Sequence, residues 1–126
     1  MGPRGIDVDA AGNLLIADTG NNRVRKVGLD GIVTTFVGNG VARFSGDRGP
    51  AVRAGLYAPC GVTVDAGGII YIADTLNYRI RKISPDGLIT TIAGNGQYFD
   101  PQDRVPATSS ALYNPTGVVL DGEGNL

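Results

Sequence analysis

The chain repeats itself at a constant interval, and this internal repeat restricts its fold more than any other feature. Pro3-Arg-Gly-Ile-Asp-Val-Asp9 returns as Pro59-Cys-Gly-Val-Thr-Val-Asp65, and again as Pro115-Thr-Gly-Val-Val-Leu-Asp121. Residues 3–58 and 59–114 align without a gap and are identical at 27 of 56 positions. The sequence therefore predicts two complete repeats, 3–58 and 59–114, and a partial third repeat, 115–126.

Each complete repeat has the pattern of four short strands followed by a long insert. The strands predicted for the first repeat are 6–9, 14–17, 23–27 and 32–37, where short apolar stretches are bounded by Gly, Asn and Asp turns. The second repeat predicts strands at the equivalent positions, 62–65, 70–73, 79–83 and 88–93. The remaining residues, 38–58 and 94–114, are called the first and second inserts. Any short helical turn is expected only in these inserts, near 51–56 and 107–112. The 20 Gly and 7 Pro agree with many turns and few long helices.

A meander of four antiparallel strands that is apolar on both faces cannot bury those faces alone. Stacking such sheets radially buries them and gives a β-propeller. A solenoid of parallel strands is the main alternative, but hairpin turns inside each repeat favour propeller blades. We therefore predict an all-β fold in which four-stranded antiparallel blades form an incomplete ring. The second strand, apolar from Leu14 to Ala17, is expected to be covered on both faces.

Three motifs recur in register within the repeats. They are Pro-x-Gly-Val-x-Val-Asp, Gly-Asn-Leu-x-Ile-Ala-Asp-Thr-x-Asn-x-Arg-Ile-Arg-Lys, and Asp-Gly-x-Ile-Thr-Thr-x-Ala-Gly-Asn-Gly. Together they resemble NHL repeats, in particular the long-unit variety of bacterial extracytoplasmic proteins, and the resemblance covers essentially the whole chain. It implies a propeller, usually of six blades, that binds proteins, ligands or, in some members, RNA. It also implies an extracytoplasmic parent protein, although no signal peptide begins this sequence.

Composition argues against several functional classes. The formal net charge is -1, so the strong positive field of a nucleic-acid-binding surface is missing and nucleic acid is not an expected partner. No apolar run approaches the ~20 residues that a membrane span needs. The single cysteine, Cys60, replaces Arg4 and Thr116 of the other repeats, and no histidine is present to activate it. We predict no catalytic residue, no cofactor and no metal site.

Aspartates at the ends of the first strands have two interpretations. Asp9, Asp65 and Asp121 could form a ring of carboxylates around a channel calcium ion. Alternatively, each opens an Asp-x-x-Gly turn and accepts hydrogen bonds from backbone N–H groups two residues on. The turn interpretation is favoured. Likewise, the glycines of Gly38-Asn-Gly40 and Gly94-Asn-Gly96 are interpreted as loop hinges, since no phosphate-binding strand and helix surround them.

A second set of charged residues repeats at the hairpin between the second and third strands. Asp18 and Arg23, and their counterparts Asp74 and Arg79, are predicted to have a structural role, with each Asp pairing with the first Arg. The outer basic residues, expected to form a solvated face or alternatively a binding rim, are Arg25, Lys26, Arg81 and Lys82.

The inserts are the best candidates for binding, because they are long and differ most between repeats. The alternative is that they only pack against the neighbouring blade. The second insert keeps Asp103, Pro106 and Ala107 but loses both glycines of the first, so its backbone is expected to differ. The candidate partner-binding residues are Phe44, Asp47, Arg48, Tyr98, Phe99, Asp103 and Arg104.

The function predicted from these observations is a non-enzymatic propeller scaffold for a protein or a small ligand. Two alternatives remain: part of a lactonase-like or lyase-like propeller enzyme with a channel metal, and an RNA-binding propeller. The sequence has no His and a single Glu, Glu123, which weighs against the enzyme.

We expect the sequence to be a piece of a longer chain, because Leu126 begins the next second strand. Its remaining blades, or copies of itself, are expected to cover open blade faces carrying residues such as Leu14, Leu15, Ile16 and Tyr71, and Val118–Asp121 to form a spare strand.

Overall fold

The computed structural model describes residues 1–126 and consists of two four-stranded antiparallel sheets, in each of which consecutive strands are neighbours. The strands of blade 1 are β1 (Gly5–Val8), β2 (Leu14–Asp18), β3 (Arg23–Val27) and β4 (Val33–Val37). The strands of blade 2 are β5 (Gly61–Val64), β6 (Ile70–Asp74), β7 (Arg79–Ile83) and β8 (Ile89–Ala93). Each strand of blade 2 covers the positions of the second repeat that are equivalent to those of its counterpart. The predicted all-β fold of propeller blades is confirmed.

Four short 3-10 helices lie between strands or within the inserts. Two of them, Thr19–Asn21 and Thr75–Asn77, join the second strand of a blade to the third. The other two, Ala51–Arg53 and Ala107–Ser109, lie in the inserts where helical turns were predicted.

The turn between β1 and β2 is held by an aspartate. Asp9 Oδ1 accepts hydrogen bonds from the N–H groups of Ala11 and Asn13, at 3.0 and 2.8 Å. Gly12 adopts φ +87°, a conformation that L side chains rarely reach. Asp65 and Asp121 make the same pairs of bonds in the other two repeats. All three aspartates are therefore turn residues, as the favoured interpretation held.

The hydrophobic core lies between the two blades. One face of blade 1 packs against one face of blade 2, and the first insert fills the space between them. This core consists of Leu15, Ala17, Val24 and Val37 from blade 1, Ala51, Ala54 and Leu56 from the insert, and Val62, Ile70, Ile72, Ile83 and Ile89 from blade 2. Each blade is thus only half covered by its single neighbour.

The opposite side of blade 1 is the open face, defined by Ile6, Val8, Leu14, Ile16, Asp18, Arg25 and Val33. Ile6 is 63% exposed, whereas its counterpart Val62 in blade 2 is 6% exposed. Leu15 was expected on an open face, and that expectation is wrong. Because successive side chains of a strand alternate between faces, Leu14 and Ile16 point outward while Leu15 lies in the core.

The first strands of successive repeats lie side by side at the inner edge of the blades. A Cβ atom added to Gly5 would lie 2.5 Å from the carbonyl oxygen of Cys60, and one added to Gly61 would lie 3.0 Å from the Cα of Gly117. The glycines of the first two Pro-x-Gly motifs, Gly5 and Gly61, are therefore required by the close approach of the next repeat.

The partial third repeat forms its turn but not its strand. Asp121 makes the expected turn with Asn125, yet residues 117–120 have no strand structure, so the predicted strand Val118–Asp121 is wrong. No other segment of the structure pairs with residues 117–120, and a strand requires a hydrogen-bonded partner.

No helix of the structure is long and apolar enough to cross a membrane.

Candidate functional site

The first insert adds a segment to the outer edge of blade 2. The N–H of Arg48 donates to the carbonyl of Ile89 at 2.7 Å, and the N–H of Ile89 donates back to Gly49 at 3.0 Å. The N–H of Ala51 donates to the carbonyl of Gly87 at 2.9 Å. Chain that belongs to the first repeat is thus hydrogen-bonded to β8 of the second.

Arg81 on β7 is the centre of this contact. Its guanidinium is fully buried and lies 3.0 Å from the Asp74 carboxylate and 2.8 Å from that of Asp47 in the insert. It also donates to the carbonyls of Ser45 and Gly55 at 3.2 Å each. A buried guanidinium needs several hydrogen-bond acceptors. Blade 2 provides the Asp74 carboxylate, and the insert provides the Asp47 carboxylate and two carbonyl groups. Arg81 is not part of a solvated face, and that expectation is wrong.

The predicted pairing of each Asp with the first Arg is also wrong. Asp74 binds Arg81, and Asp18 lies 3.6 Å from Arg25, the second arginine of its repeat. Asp74 and Arg79 face each other at the strand ends, but Arg79 turns to the carbonyls of Asn77 and Asn95. Arg23 lies in the same way near the carbonyl of Asn39. The first arginines therefore hold the backbone of the following loop, which is still a structural role.

Phe44 of the first insert stacks on the two arginines of blade 2. Its ring centroid lies 3.8 Å from the guanidinium carbon of Arg79 and 4.8 Å from that of Arg81. Phe44 and Asp47 therefore pack against the neighbouring blade, and Arg48 contributes its backbone. These three candidate residues serve blade packing, as the alternative interpretation held.

Burial shifts the pKa values of two ionisable groups at this contact. Burial raises the pKa of the Asp74 carboxyl, against hydrogen bonds from Tyr57, Asn77 and Arg81 that lower it. Burial lowers the pKa of Arg79, and the nearby charge of Arg81 lowers it further. Removing the Asp74 carboxylate from water costs free energy, and its hydrogen bonds from Tyr57, Asn77 and Arg81 offset that cost.

A second charged contact joins the blades at their inner edge. Asp7 Oδ2 accepts hydrogen bonds from the Thr63 hydroxyl and the Val64 N–H, both at 2.9 Å. Burial works against ionisation of Asp7, yet bonds from Val64, Val8 and Thr63 together lower its pKa. Sequence reasoning missed Asp7, because Thr63 and Val119 replace it in the other repeats.

The second insert carries exposed aromatic residues, and these gather with Tyr78 at the surface. Tyr98 lies 5.7 Å from Tyr78 and 5.1 Å from Phe99, measured between ring centroids. Tyr113 stacks on Tyr78 at 6.3 Å with an interplanar angle of 18°. Tyr98 and Phe99 are each 58% exposed, and Tyr113 is 70% exposed. These four residues are called the aromatic patch.

Tyr78 occupies an unfavourable backbone conformation within this patch. Its φ is 56°, in the left-handed region that asparagine tolerates better than tyrosine. The first repeat has Asn22 at this position, with φ 55°, and Asn22 Oδ1 accepts a hydrogen bond from the N–H of Ala58 at 2.9 Å. Comparing the repeats for such replacements would have added Tyr78 to the candidates, but not Tyr113, because its counterpart Tyr57 is also a tyrosine.

Asp103 and Arg104, the last two candidate residues, are exposed and belong to neither the packed insert nor the aromatic patch. The structure also brings no three His, Cys, Asp or Glu side chains together in a group that could hold a metal ion. The candidate site that remains for an external partner is therefore the aromatic patch.

Comparison with known proteins agrees with the repeat pattern. The family model for the teneurin NHL domain matches residues 41–107, more than half of the chain, and the model for the NHL repeat matches residues 1–27. The chain belongs to the NHL-repeat family. NHL repeat-containing protein 2 from Bos taurus is 31% identical over 131 residues, which cover 97% of this chain and 17% of that protein. Teneurin-1 from Gallus gallus is 48% identical over 50 residues, or 40% of this chain and 2% of that protein.

Solved structures with similar blades include bacterial proteins. A Bacteroides thetaiotaomicron protein of unknown function has a TM-score of 0.78 at 27% identity, over 89% of this chain and 28% of that one. Virginiamycin B lyase from Staphylococcus aureus has a TM-score of 0.61 at 20% identity, over 98% of this chain and 32% of that one. This NHL-repeat chain thus spans under a third of each of these proteins.

Proposed function

We propose that this NHL-repeat chain is a non-enzymatic propeller scaffold that binds a protein or another ligand through the aromatic patch. Asp7, Asp74 and Arg81, the carboxylates and arginine at the contact between the blades, are engaged in holding the blades together. What the surface offers to a partner is apolar and rigid, since tyrosine contributes large contact area at a low cost in conformational entropy. Clustered exposed aromatic residues are typical of interaction surfaces.

The strained backbone at Tyr78 carries this proposal. An L residue with a bulky side chain is costly in the left-handed region, and such strain is concentrated at functional sites. In the first repeat, the same position holds Asn22 without an aromatic neighbour cluster. The second repeat keeps tyrosine there despite the cost, and the ring of Tyr78 supports Tyr98 and Tyr113.

Selection from a displayed peptide library on the immobilised chain tests the proposal. Peptides selected in this way are then titrated against the chain in solution. The double variant Tyr98→Ser/Phe99→Ser is expected to lose about tenfold or more in affinity, because each anchor of an interface is worth ~1 kcal/mol or more. Tyr57→Ser is the matched control, since Tyr57 is the first-repeat counterpart of Tyr113 and lies outside the patch. Selected peptides that bind the double variant as tightly as the original chain would contradict the proposal.

A further inference from the structure

The aromatic patch occupies positions that are exposed even where another blade follows the insert. Ala42 and Arg43 hold the positions of Tyr98 and Phe99 in the first insert, and both are exposed although blade 2 packs against that insert. The exposure of the patch is therefore a property of this face of the repeat. What the second repeat adds there is aromatic side chains.

The rings of the patch are spaced like the residues of a polyproline II helix. Their centroids are 5.1 Å apart for Tyr98 and Phe99, 5.7 Å for Tyr78 and Tyr98, and 6.3 Å for Tyr78 and Tyr113. A polyproline II helix advances ~3.1 Å per residue, so two of its residues advance ~6 Å. Successive proline rings can therefore lie against neighbouring aromatic rings, in the way that proline-rich segments bind aromatic-lined grooves.

The hydroxyl groups of the three tyrosines are free to donate hydrogen bonds. The side-chain hydrogen bonds around the patch involve Asn95, Gln102 and Ser110, and none of them uses a tyrosine hydroxyl. A polyproline II helix has no internal hydrogen bonds and proline has no N–H, so a proline-rich segment presents carbonyl groups that only accept. The patch thus offers both the apolar surface and the donors that such a segment needs.

Two other modes of peptide recognition fit the patch less well. An added β-strand needs the unpaired edge of a strand, and none of the four patch residues lies in a strand. A bound amphipathic helix needs an apolar groove for several anchors, whereas three of these rings carry a hydroxyl group at the rim. The chemistry of the patch therefore favours a proline-rich segment.

We propose that the aromatic patch binds a proline-rich segment in the polyproline II conformation, with a basic residue beside the prolines. The inference rests on the proposed function and specifies the class of partner. The preference for a basic residue follows from Asp100, which comes directly after Phe99, is exposed and forms no salt bridge. A positive charge at that end of the segment would meet an unpaired carboxylate.

Titration of the full chain into a fluorescently labelled peptide tests the proposal. The probe is an arginine followed by about nine prolines, which form roughly 28 Å of polyproline II helix. The control peptide has the same charge and length, with glycine and serine in place of the prolines. The proline peptide is expected to bind about tenfold more tightly or better, because the flexible control loses more conformational entropy on binding.

Variants of Tyr98 separate the contribution of the ring from that of its hydroxyl. Tyr98→Ser should lower the affinity for the proline peptide about tenfold or more, because an anchor of the interface is lost. Tyr98→Phe should lower it roughly two- to tenfold, because one hydrogen bond is lost. Tyr57→Ser and Tyr57→Phe make the same changes at a partly exposed tyrosine outside the patch and should leave the affinity unchanged.

Failure of this inference can be told apart from failure of the proposed function. Equal affinity for the two peptides, or binding of the proline peptide that is insensitive to Tyr98→Ser, overturns the inference. Library-selected peptides that bind the patch but contain no proline-rich segment overturn it too, while the proposed function stands. So does a soluble oligosaccharide such as cellohexaose that binds the patch when neither peptide does. Selected peptides that bind away from the patch contradict both.

Discussion

Arg25 and Arg81 occupy the same position of successive repeats and have the same neighbours within their own sheets. Only Arg81 is covered by an insert, which adds Asp47 and two carbonyl acceptors to its partners. The energetic role of an arginine at this position is therefore decided by the preceding repeat and not by its own blade. The two arginines form a matched pair for measuring that role.

Replacing Arg81 by methionine is expected to lower the free energy of unfolding by about 3–5 kcal/mol, because the fully buried Asp74 loses its cation and the partly exposed Asp47 loses its ion pair. Arg25→Met should cost under ~1 kcal/mol, since the Arg25–Asp18 pair is partly exposed. Urea denaturation at low protein concentration measures both. Equal losses for the two variants would show that the insert contributes nothing to the burial of Arg81.

Tyr78→Asn is expected to raise the free energy of unfolding by about 0.5–1 kcal/mol, because asparagine tolerates the left-handed conformation better. Thermal or urea denaturation measures the change. The same variant should weaken binding at the aromatic patch, since Tyr98 and Tyr113 lose the ring that lies between them. A variant that is less stable than the original chain would show that stacking in the patch outweighs the backbone strain.

Asp7 gives the contact between the blades a dependence on pH. Its pKa is lower in the folded chain than the ordinary 3.8, so the stability it contributes is complete above that value and is lost as pH falls through the folded pKa. Asp7→Asn should therefore destabilise the chain at pH 7 and flatten the decline in stability as the pH falls below the ordinary pKa of 3.8. Denaturation at several pH values measures this, with Glu123→Gln as the control for net charge. An acid decline as steep in Asp7→Asn as in the original chain would exclude this role.

The pairing of the arginines shows what the sequence can and cannot predict at this scale. The repeat singled out Asp18, Arg23, Asp74 and Arg79 because their spacing recurs without a gap, and the structure shows which partners they have. It could not predict that Asp74 reaches Arg81, since the long side chain of an arginine spans a diagonal of the sheet that sequence spacing does not reveal.

Among the elements, the strands were predictable and the inserts only in part. Apolar stretches bounded by turn residues placed all eight strands to within one or two residues. The inserts have no periodic pattern, so their docking on the next blade depends on contacts between distant residues. The predicted third-repeat strand failed for a related reason, because a strand requires a partner that periodicity alone does not supply.

Leu56 and Leu112 test how much the docking of an insert stabilises the chain. Leu56 is fully buried between the blades, while its counterpart Leu112 lines an open groove beside Ile80 and Val118. Leu56→Ala is expected to cost about 2–5 kcal/mol, and Leu112→Ala clearly less. Denaturation of both variants measures the difference. A similar cost for the two would mean that the second insert is as well packed as the first.

For the whole molecule, the sequence repeat predicted the propeller-blade architecture. For the function, it predicted only a general class, a binding scaffold. A long repeat with four strands in each unit leaves few options besides blades. The partner was not predictable, because binding depends on exposed side chains that packing does not constrain. Three of the four residues of the aromatic patch, Tyr78, Tyr98 and Phe99, differ between the repeats, so similarity between repeats does not reveal them.

The chain is expected to bind metal ions only weakly, because the carboxylates of its turn aspartates already accept hydrogen bonds. Both oxygens of Asp9 and of Asp121 are engaged by neighbouring asparagines, and those bonds lower the pKa of each carboxyl. Calorimetric titration with Ca²⁺ or Zn²⁺ should give only weak heats. A sub-micromolar site that is lost in Asp9→Asn or Asp121→Asn would bring the alternative of a metal-dependent enzyme forward.

The first insert belongs to the first sequence repeat but docks on the second blade. The boundaries of the sequence repeat therefore differ from those of the packed unit, which is a blade together with the insert that precedes it. A duplication of residues 3–58 copies a blade together with the cover of its successor, so each new copy arrives with one half of the next junction already encoded. Lengthening such a protein by whole units therefore preserves every internal junction. Recombination within the first insert, between Asp47 and Leu56, would instead separate Asp47 from Arg81, with which it forms an ion pair. In proteins built from such repeats, the boundaries of duplicated or exchanged units are therefore expected to lie outside this segment.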